Sequence, residues 1–500
     1  MSEEKVRNQL LPAEREKGSK YVLYDGMMFQ TMFNLSSGAF IIAFGLLLGA
    51  SNLVIGLLAA APFLGNVFQI PAVLVVEKIR KRKLICILAS IIARIWLPIF
   101  ALIPLFFIKS GLSVLIMGIF FSGVAAAFSA CSWSSWMREL IPDEVRGQFF
   151  SKRLTWSFVL AMPLSLLAGR FVDFWQARFP SQPAFGYSIV FLIAFGFGIG
   201  SILALRATPE PLMGEAHEKV SLFKVISSPF KDENFRKMLK FTTLWALSFN
   251  FAVPFFTVYM LKRIGLSLTI VILFSVLTQL FYILFLNIWG RLTDRFSNKS
   301  VMQASGMLLL ICIITWPFTT LPEMHIATLP LLTLIHVFLG VSIAGVSIAS
   351  FNIAFKLAPS VDTTKYLAIN GALASIGMGI GPILGGVLAD ILALMELSLN
   401  FRWLSSKEGW TAYLLNFKGL DFLFFAAFIL GFYAISCLSQ VRERGEVPKR
   451  VVYREFLIEA RRGIRNFSNV GAFYSLIYFP IQLYRRKKEN NSRKNSFILK

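Results

Sequence analysis

The sequence predicts an all-α integral membrane protein of twelve transmembrane helices arranged in two six-helix pseudo-repeats. Three observations predict it. The 500-residue chain is 56% hydrophobic and 15% charged, with a mean hydropathy of +0.66, whereas soluble domains carry about 25% charged residues. Apolar runs of the roughly 20 residues needed to cross a bilayer recur along the chain. The second half also repeats the loop chemistry of the first at one fixed spacing.

The runs fall at 21–49, 52–76, 84–108, 111–136, 154–173, 186–206, 239–261, 266–289, 300–320, 326–352, 366–393 and 421–439. They are continuous, so they read as helices and not as the alternating ten-residue strands of a membrane barrel. Residues 1–20 are polar and of mixed charge and lack the apolar core of a cleavable signal peptide. The expected organisation is a cytoplasmic N-terminal segment (1–20), a six-helix bundle (21–206), a cytoplasmic linker (207–238), a second bundle (239–439) and a basic amphipathic tail (440–500).

A net charge of +23 can indicate a nucleic-acid partner. Here the basic residues sit in short clusters between apolar runs, which excludes that reading. With both termini cytoplasmic, 41 of the 50 Lys and Arg fall on the cytoplasmic side, so the positive-inside bias sets the orientation in a cell (inner or plasma) membrane. Cys86, Cys131, Cys312 and Cys437 all lie in apolar runs. They suggest neither a disulfide framework nor a metal site. The three histidines fall in separate regions and there is no phosphate-binding loop. The chain reads as a non-enzyme without a cofactor.

Shifting the sequence by 217 residues lays Pro142 on Pro359, Gly169 on Gly386, Asp173 on Asp390, Glu77 on Asp294, Lys78 on Arg295 and Arg82 on Lys299. The register is lost before helix 12, at an insertion of about 18 residues near Asn400–Lys418. Parallel six-helix repeats joined by a cytoplasmic linker describe a known transporter architecture.

After helix 8 the chain reads GRLTDRFSNKS from Gly290. This resembles the G-x-x-x-D-R-x-G-R-R loop signature of the major facilitator superfamily, with Ser297 for the second Gly and Asn298-Lys299 for the basic pair. The first-half counterpart, Val73 to Lys83, keeps Glu77 and Lys78 but not the Gly. A carboxylate here can pair with an Arg and with a helix N-terminus. Glu77, Lys78, Gly290, Asp294, Arg295 and Lys299 are therefore candidates for a latch that breaks when the cytoplasmic side opens. Helix 11 carries GMGIGPILGGVLAD (Gly377 to Asp390). It resembles the superfamily's antiporter signature, which belongs on helix 5, so it reads as packing and bending. The loop from Ser132 to Arg153, PFFTVYML in helix 7 and Pro209-Glu210-Pro211 are similar to a poorly characterised branch of the superfamily. The resemblance covers roughly residues 20–440.

The resemblance implies a central cavity lined by helices 1, 4, 7 and 10. Each has a polar stripe at helical spacing: Gln30 and Asn34; Ser129, Trp133 and Trp136; Asn250 and Thr257; His336 and Ser347. Arg94 lies ten residues into helix 3, about 15 Å deep. It is expected to rest on the Gln30 and Gln69 amides or to meet an anion. Asp25 opens helix 1 and reads as a helix-end contact. The expected activity is secondary or facilitative transport of a small organic solute, neutral or amphiphilic, by a monomer. A non-transporting assembly or pigment-carrier protein on the same fold and a lipid or lysolipid transporter are the alternatives. Two tail stretches, 451–464 and 467–484, are expected to lie on the anionic inner leaflet.

Overall fold

The computed structural model describes residues 12–107, 109–211, 222–321, 325–359, 363–404, 409–443 and 445–468. Twelve of its helices are long and apolar enough to cross a membrane. They are α1 (Ala13–Leu47), α2 (Asn52–Ile79), α3 (Arg82–Ala101), α4 (Gly111–Leu140), α5 (Asp143–Arg178), α6 (Ala184–Ala207), α7 (Glu233–Arg263), α8 (Leu268–Arg295), α9 (Asn298–Thr320), α10 (Thr328–Leu357), α11 (Lys365–Leu392) and α12 (Leu420–Ser439). A linker helix (Leu222–Lys231) and a tail helix (Lys449–Ser468) are added at the end of the bundle that holds the start of α1. We call this the basic end and its opposite the far end. The second tail stretch expected on the leaflet, 467–484, lies almost wholly outside the described residues.

Several helices run past the apolar segments that announced them. Helix α5 begins at Asp143, not near residue 154, because Pro142 turns the chain and Asp143 and Glu144 favour a helix N-terminus. Helix α1 begins more than three turns before Asp25, so Asp25 lies inside the bundle and not at a helix end. Prolines set the breaks. Pro71 has no N–H for the Val67 carbonyl and α2 interrupts there; Pro98 does the same to Arg94 and α3 bends at Ile95. Gly38, at φ 54°, breaks α1.

The insertion before α12 is a two-stranded antiparallel ribbon, β1 (Glu396–Leu404) and β2 (Gly409–Lys418), closed at its base by a Glu396–Lys418 ion pair of 3.1 Å. Its register places Leu397, Leu399 and Phe401 opposite Phe417, Leu415 and Ala412. That alternation is a strand period inside a chain otherwise read as helices.

The halves meet along α2 with α11 and α5 with α8. Small residues make the close approach possible. A Cβ at Gly56 of α2 would run into the Pro382 carbonyl oxygen of α11, and one at Gly386 would sit 2.8 Å from the Leu53 Cα. The glycine-rich stretch of α11 thus packs against α2 and α7, where Gly377 and Gly381 face the α7 backbone. Past Leu64 and Gly379 the basic-end part of α2 is exposed at Val73, Leu74, Glu77 and Lys78, and a Cβ at Gly371 of α11 would meet nothing.

Candidate functional site

The far end is tied by two carboxylates at repeat-related positions. Asp173, near the end of α5, accepts from the Leu268 and Thr269 N–H groups that open α8, at 3.1 and 2.9 Å, and from the Thr269 hydroxyl. Asp390, near the end of α11, accepts from the Asn52 and Leu53 N–H groups that open α2, both at 2.9 Å. A carboxylate in its own helix's last turns is unfavourably placed, whereas a helix N-terminus offers unpaired N–H groups and a positive dipole end. Each acid therefore finds its partner in the other half. The sequence paired these two residues by spacing without revealing their role.

Nearer mid-depth, Gln30 Nε2 donates to Asn34 Oδ1 at 2.8 Å, and Asn34 Nδ2 donates to Gln279 Oε1 of α8 at 3.4 Å. Gln279 stands on α8, outside the four helices that the resemblance assigns to the cavity. The α4 stripe is turned elsewhere. Ser129 shares its hydroxyl with Ser90 of α3 at 3.0 Å, and Trp136 is fully buried with Nε1 donating to the Pro209 carbonyl at 2.9 Å. Trp136, expected in the α4 stripe, thus anchors the linker in this structure. Trp133 is partly exposed, with Phe150 against it and the Arg153 guanidinium 4.8 Å over its ring.

Arg94 is also placed differently from expectation. It is 4% exposed, and Nη2 donates at 3.0 Å to Ser201, whose hydroxyl donates to Asp25 at 2.5 Å. Asp25 in turn accepts from Arg153 Nη2 at 3.0 Å. The expected Gln30 and Gln69 do not hold it. Residues from α1, α3, α5 and α6 thus form one chain of polar contacts, Arg94–Ser201–Asp25–Arg153, buried except at half-buried Arg153, with Arg94 Nη1 unpartnered among the described residues. The sequence puts Asp25 at a helix end because the helix extends into a polar segment that carries no apolar run.

The second half answers with aromatics. His336, 5% exposed, stacks on Phe274 with ring centres 4.9 Å apart and meets Trp316 edge-on. Its Nδ1 lies 2.9 Å from Thr278 Oγ1. The threonine hydroxyl also reaches the Phe274 and His336 carbonyls, and His336 Nε2 is buried without a partner among the described residues. Asn250 and Ser347 bond back to carbonyls of their own helices, at Ala246 and Ala344. Thr257 is partly exposed.

At the basic end the signature loop engages the tail. Arg295 pairs with Glu455 at 2.6 Å and Arg291 with Glu459 at 3.1 Å, both on the tail helix. Lys299, expected in a gating loop, is 6% exposed; its Nζ donates to the Ser439 and Val441 carbonyls and to Glu446. Glu443 caps α9 through the Asn298 and Lys299 N–H groups. Burial pushes the Glu446 carboxyl up, but the bonds from Lys299 and the Glu443 N–H outweigh it and the net shift is downward. The first half repeats this arrangement. Glu210 accepts from Lys83 N–H at α3, Lys83 Nζ donates to Thr208, and buried Arg82 donates to Glu139 and to the Pro211 carbonyl. Asp294, Glu77 and Lys78 are exposed, and a Cβ at Gly290 would make ordinary contact with Ile348 of α10.

The Major Facilitator Superfamily family model matches residues 238–488. A tetracycline resistance protein, class H, of Pasteurella multocida is 28% identical over 117 residues, 23% of this chain and 26% of that protein. The chain thus spans about a quarter of that relative's length. Among solved structures, a mutant of the nucleoside transporter NupG aligns with a TM-score of 0.64 at 12% identity, over 86% of this chain and 100% of that one. A D-xylose-proton symporter aligns at 0.62 and 14% identity, over 86% and 98%. An inward-facing bacterial homologue of the lysosomal transporter Spinster aligns at 0.59 and 13% identity, over 91% and 99%. With twelve spans, two packed six-helix halves and a family match over half of its length, the chain belongs to the Major Facilitator Superfamily.

Proposed function

We propose that this multi-pass transporter moves a small organic solute across the cell membrane by alternating access, with both termini and the basic end in the cytoplasm. One observation carries the reading. The two halves are clamped at the far end by twofold-related carboxylate caps, Asp173 on α8 and Asp390 on α2, while the basic-end part of α2 stands exposed. Bonds of this kind, strong but few, suit a seam that closes in one state and parts in the other. The solute path runs beside Gln30, Asn34 and Gln279, with Thr257, Ser347 and Trp133 as further contacts. Amides and hydroxyls without a free charge suit a neutral or amphiphilic solute. The likeness to a tetracycline resistance protein is a reason to include tetracycline among the solutes tested.

In this reading Asp294, Glu77 and Lys78 form the cytoplasmic latch in the opposite state, when the basic end closes. The basic tail rests on the anionic inner leaflet, and one chain is the working unit. The deciding experiment is uptake into proteoliposomes across metabolite, drug and lysolipid classes. Saturable movement of a small solute, lost in Gln279→Ala, supports the proposal. Movement of lysolipids alone would transfer the activity to lipid, and no movement of any class with an intact fold would favour a non-transporting carrier.

A further inference from the structure

The tail helix is segregated by charge in a way that packing alone does not require. Its inward side is acidic and apolar. Glu455 and Glu459 hold Arg295 and Arg291, Phe456 stacks on Trp289 with ring centres 4.5 Å apart, Tyr453 donates to the Ala304 carbonyl at 2.9 Å, and Val452 is fully buried. Its outward side is basic: Arg450, Arg454, Leu457 and Arg461 follow at intervals of four, three and four residues and all are exposed. At 100° per residue these four fall within about 60° of one another, a single line along the helix.

We infer that this arginine line binds the headgroups of anionic phospholipids and so ties the α8–α9 loop to the charge of the membrane surface. The inference deepens the reading above and rests on it for the tail lying at a leaflet. The partner is argued from complementarity. Guanidinium groups match phosphate oxygens in a fork geometry, Leu457, 56% exposed, stands among them as an apolar contact, and the helix packs beside the ends of α8 and α9 at the end of the bundle where a leaflet surface lies. The acids that would repel such a surface are turned inward and occupied. Each arginine near an anionic leaflet contributes about a fivefold factor in association, and salt screens it.

The test uses the full chain carrying Cys131→Ser and a spin label on Leu457→Cys, in vesicles of phosphatidylcholine with or without phosphatidylglycerol. Expected is a label immobilised and reached by a headgroup-attached relaxer when phosphatidylglycerol is present. The effect is lost at high salt and in Arg450→Glu/Arg454→Glu/Arg461→Glu, and kept in the corresponding triple lysine variant. Label mobility independent of lipid charge and salt in the otherwise unaltered chain overturns the inference even where the charge-reversed variant does not fold. An impermeant thiol reagent added to sealed vesicles reports separately on which side the introduced thiol lies, so an error in orientation is distinguishable from an error about lipid.

Discussion

The two halves share their ends and differ in their middles. At the far end Asp173 and Asp390 make the same cap, and at the basic end Glu210 and Glu443 make another. Midway, the first half buries an ionic chain, Arg94–Ser201–Asp25–Arg153, while the second stacks His336, Phe274 and Trp316. At the repeat offset Asp25 falls on Thr242 and Arg153 on Asn370, and each of those has a buried oxygen without a partner among the described residues. Any helix that moves as part of a rigid body needs its terminal N–H groups satisfied, so the ends are held alike. Apart from the Asn34–Gln279 bond across the halves, these interior side chains answer to their own bundle, and there the repeats have diverged.

The sharpest way to break this comparison is Asp25→Ala beside Thr242→Ala. Removing Asp25 strands Arg94 and Arg153 and is expected to cost about 3–5 kcal/mol, whereas Thr242→Ala should stay within about 0.5 kcal/mol of neutral. Thermal unfolding in detergent at one scan rate checks both, and equal shifts would end the claim that the halves are braced differently. Next come Asp173→Asn and Asp390→Asn. Charge-assisted bonds contribute about 1.5–3 kcal/mol, so each variant should raise far-end opening by about tenfold or more. The readout is thiol labelling of Ile272→Cys and Leu53→Cys, which face Gly169 and Gly386 across the seam. Matched responses sharpen the pseudo-symmetry; a response from one variant alone breaks it.

Smaller effects test the local assignments. Trp136→Phe removes one neutral bond, to Pro209, and should lower stability by about 1 kcal/mol while leaving solute affinity unchanged in the uptake assay. Arg295→Ala opens an exposed ion pair and should cost at most about 1 kcal/mol by the same melting experiment. The carboxyl of Glu446 is held below its ordinary value. The stability it contributes is therefore present above the ordinary carboxylate range and disappears as pH falls through its lowered value. Proteolysis of the tail should quicken on acidification over that window, and less so in Glu446→Gln.

Much of the fold was legible because a bilayer punishes exposed backbone polarity so heavily that spans must be long, apolar and helical. Hydropathy alone therefore located all twelve. The candidate site was less legible. Trp136 and Ser129 have the spacing of a cavity stripe, but which face of α4 meets α3 depends on packing that periodicity does not encode. Asp25 was misplaced because a helix extending into a polar segment leaves no hydropathic trace. The ribbon at β1 and β2 announced itself only by alternation, which a search tuned to 20-residue windows averages away.

By itself, then, the sequence determined the number of spans, the repeat and the clustering of positive charge, since these follow from local composition and from the cost of moving charge across lipid. Only the tertiary structure decided which partner each polar group took. Asp25 meets Arg153 across 128 residues and Asp390 meets Asn52 across 338. Whether a charge in such a chain is a brace, a cap or a latch depends on the group brought to face it, and that is a property of the packed bundle.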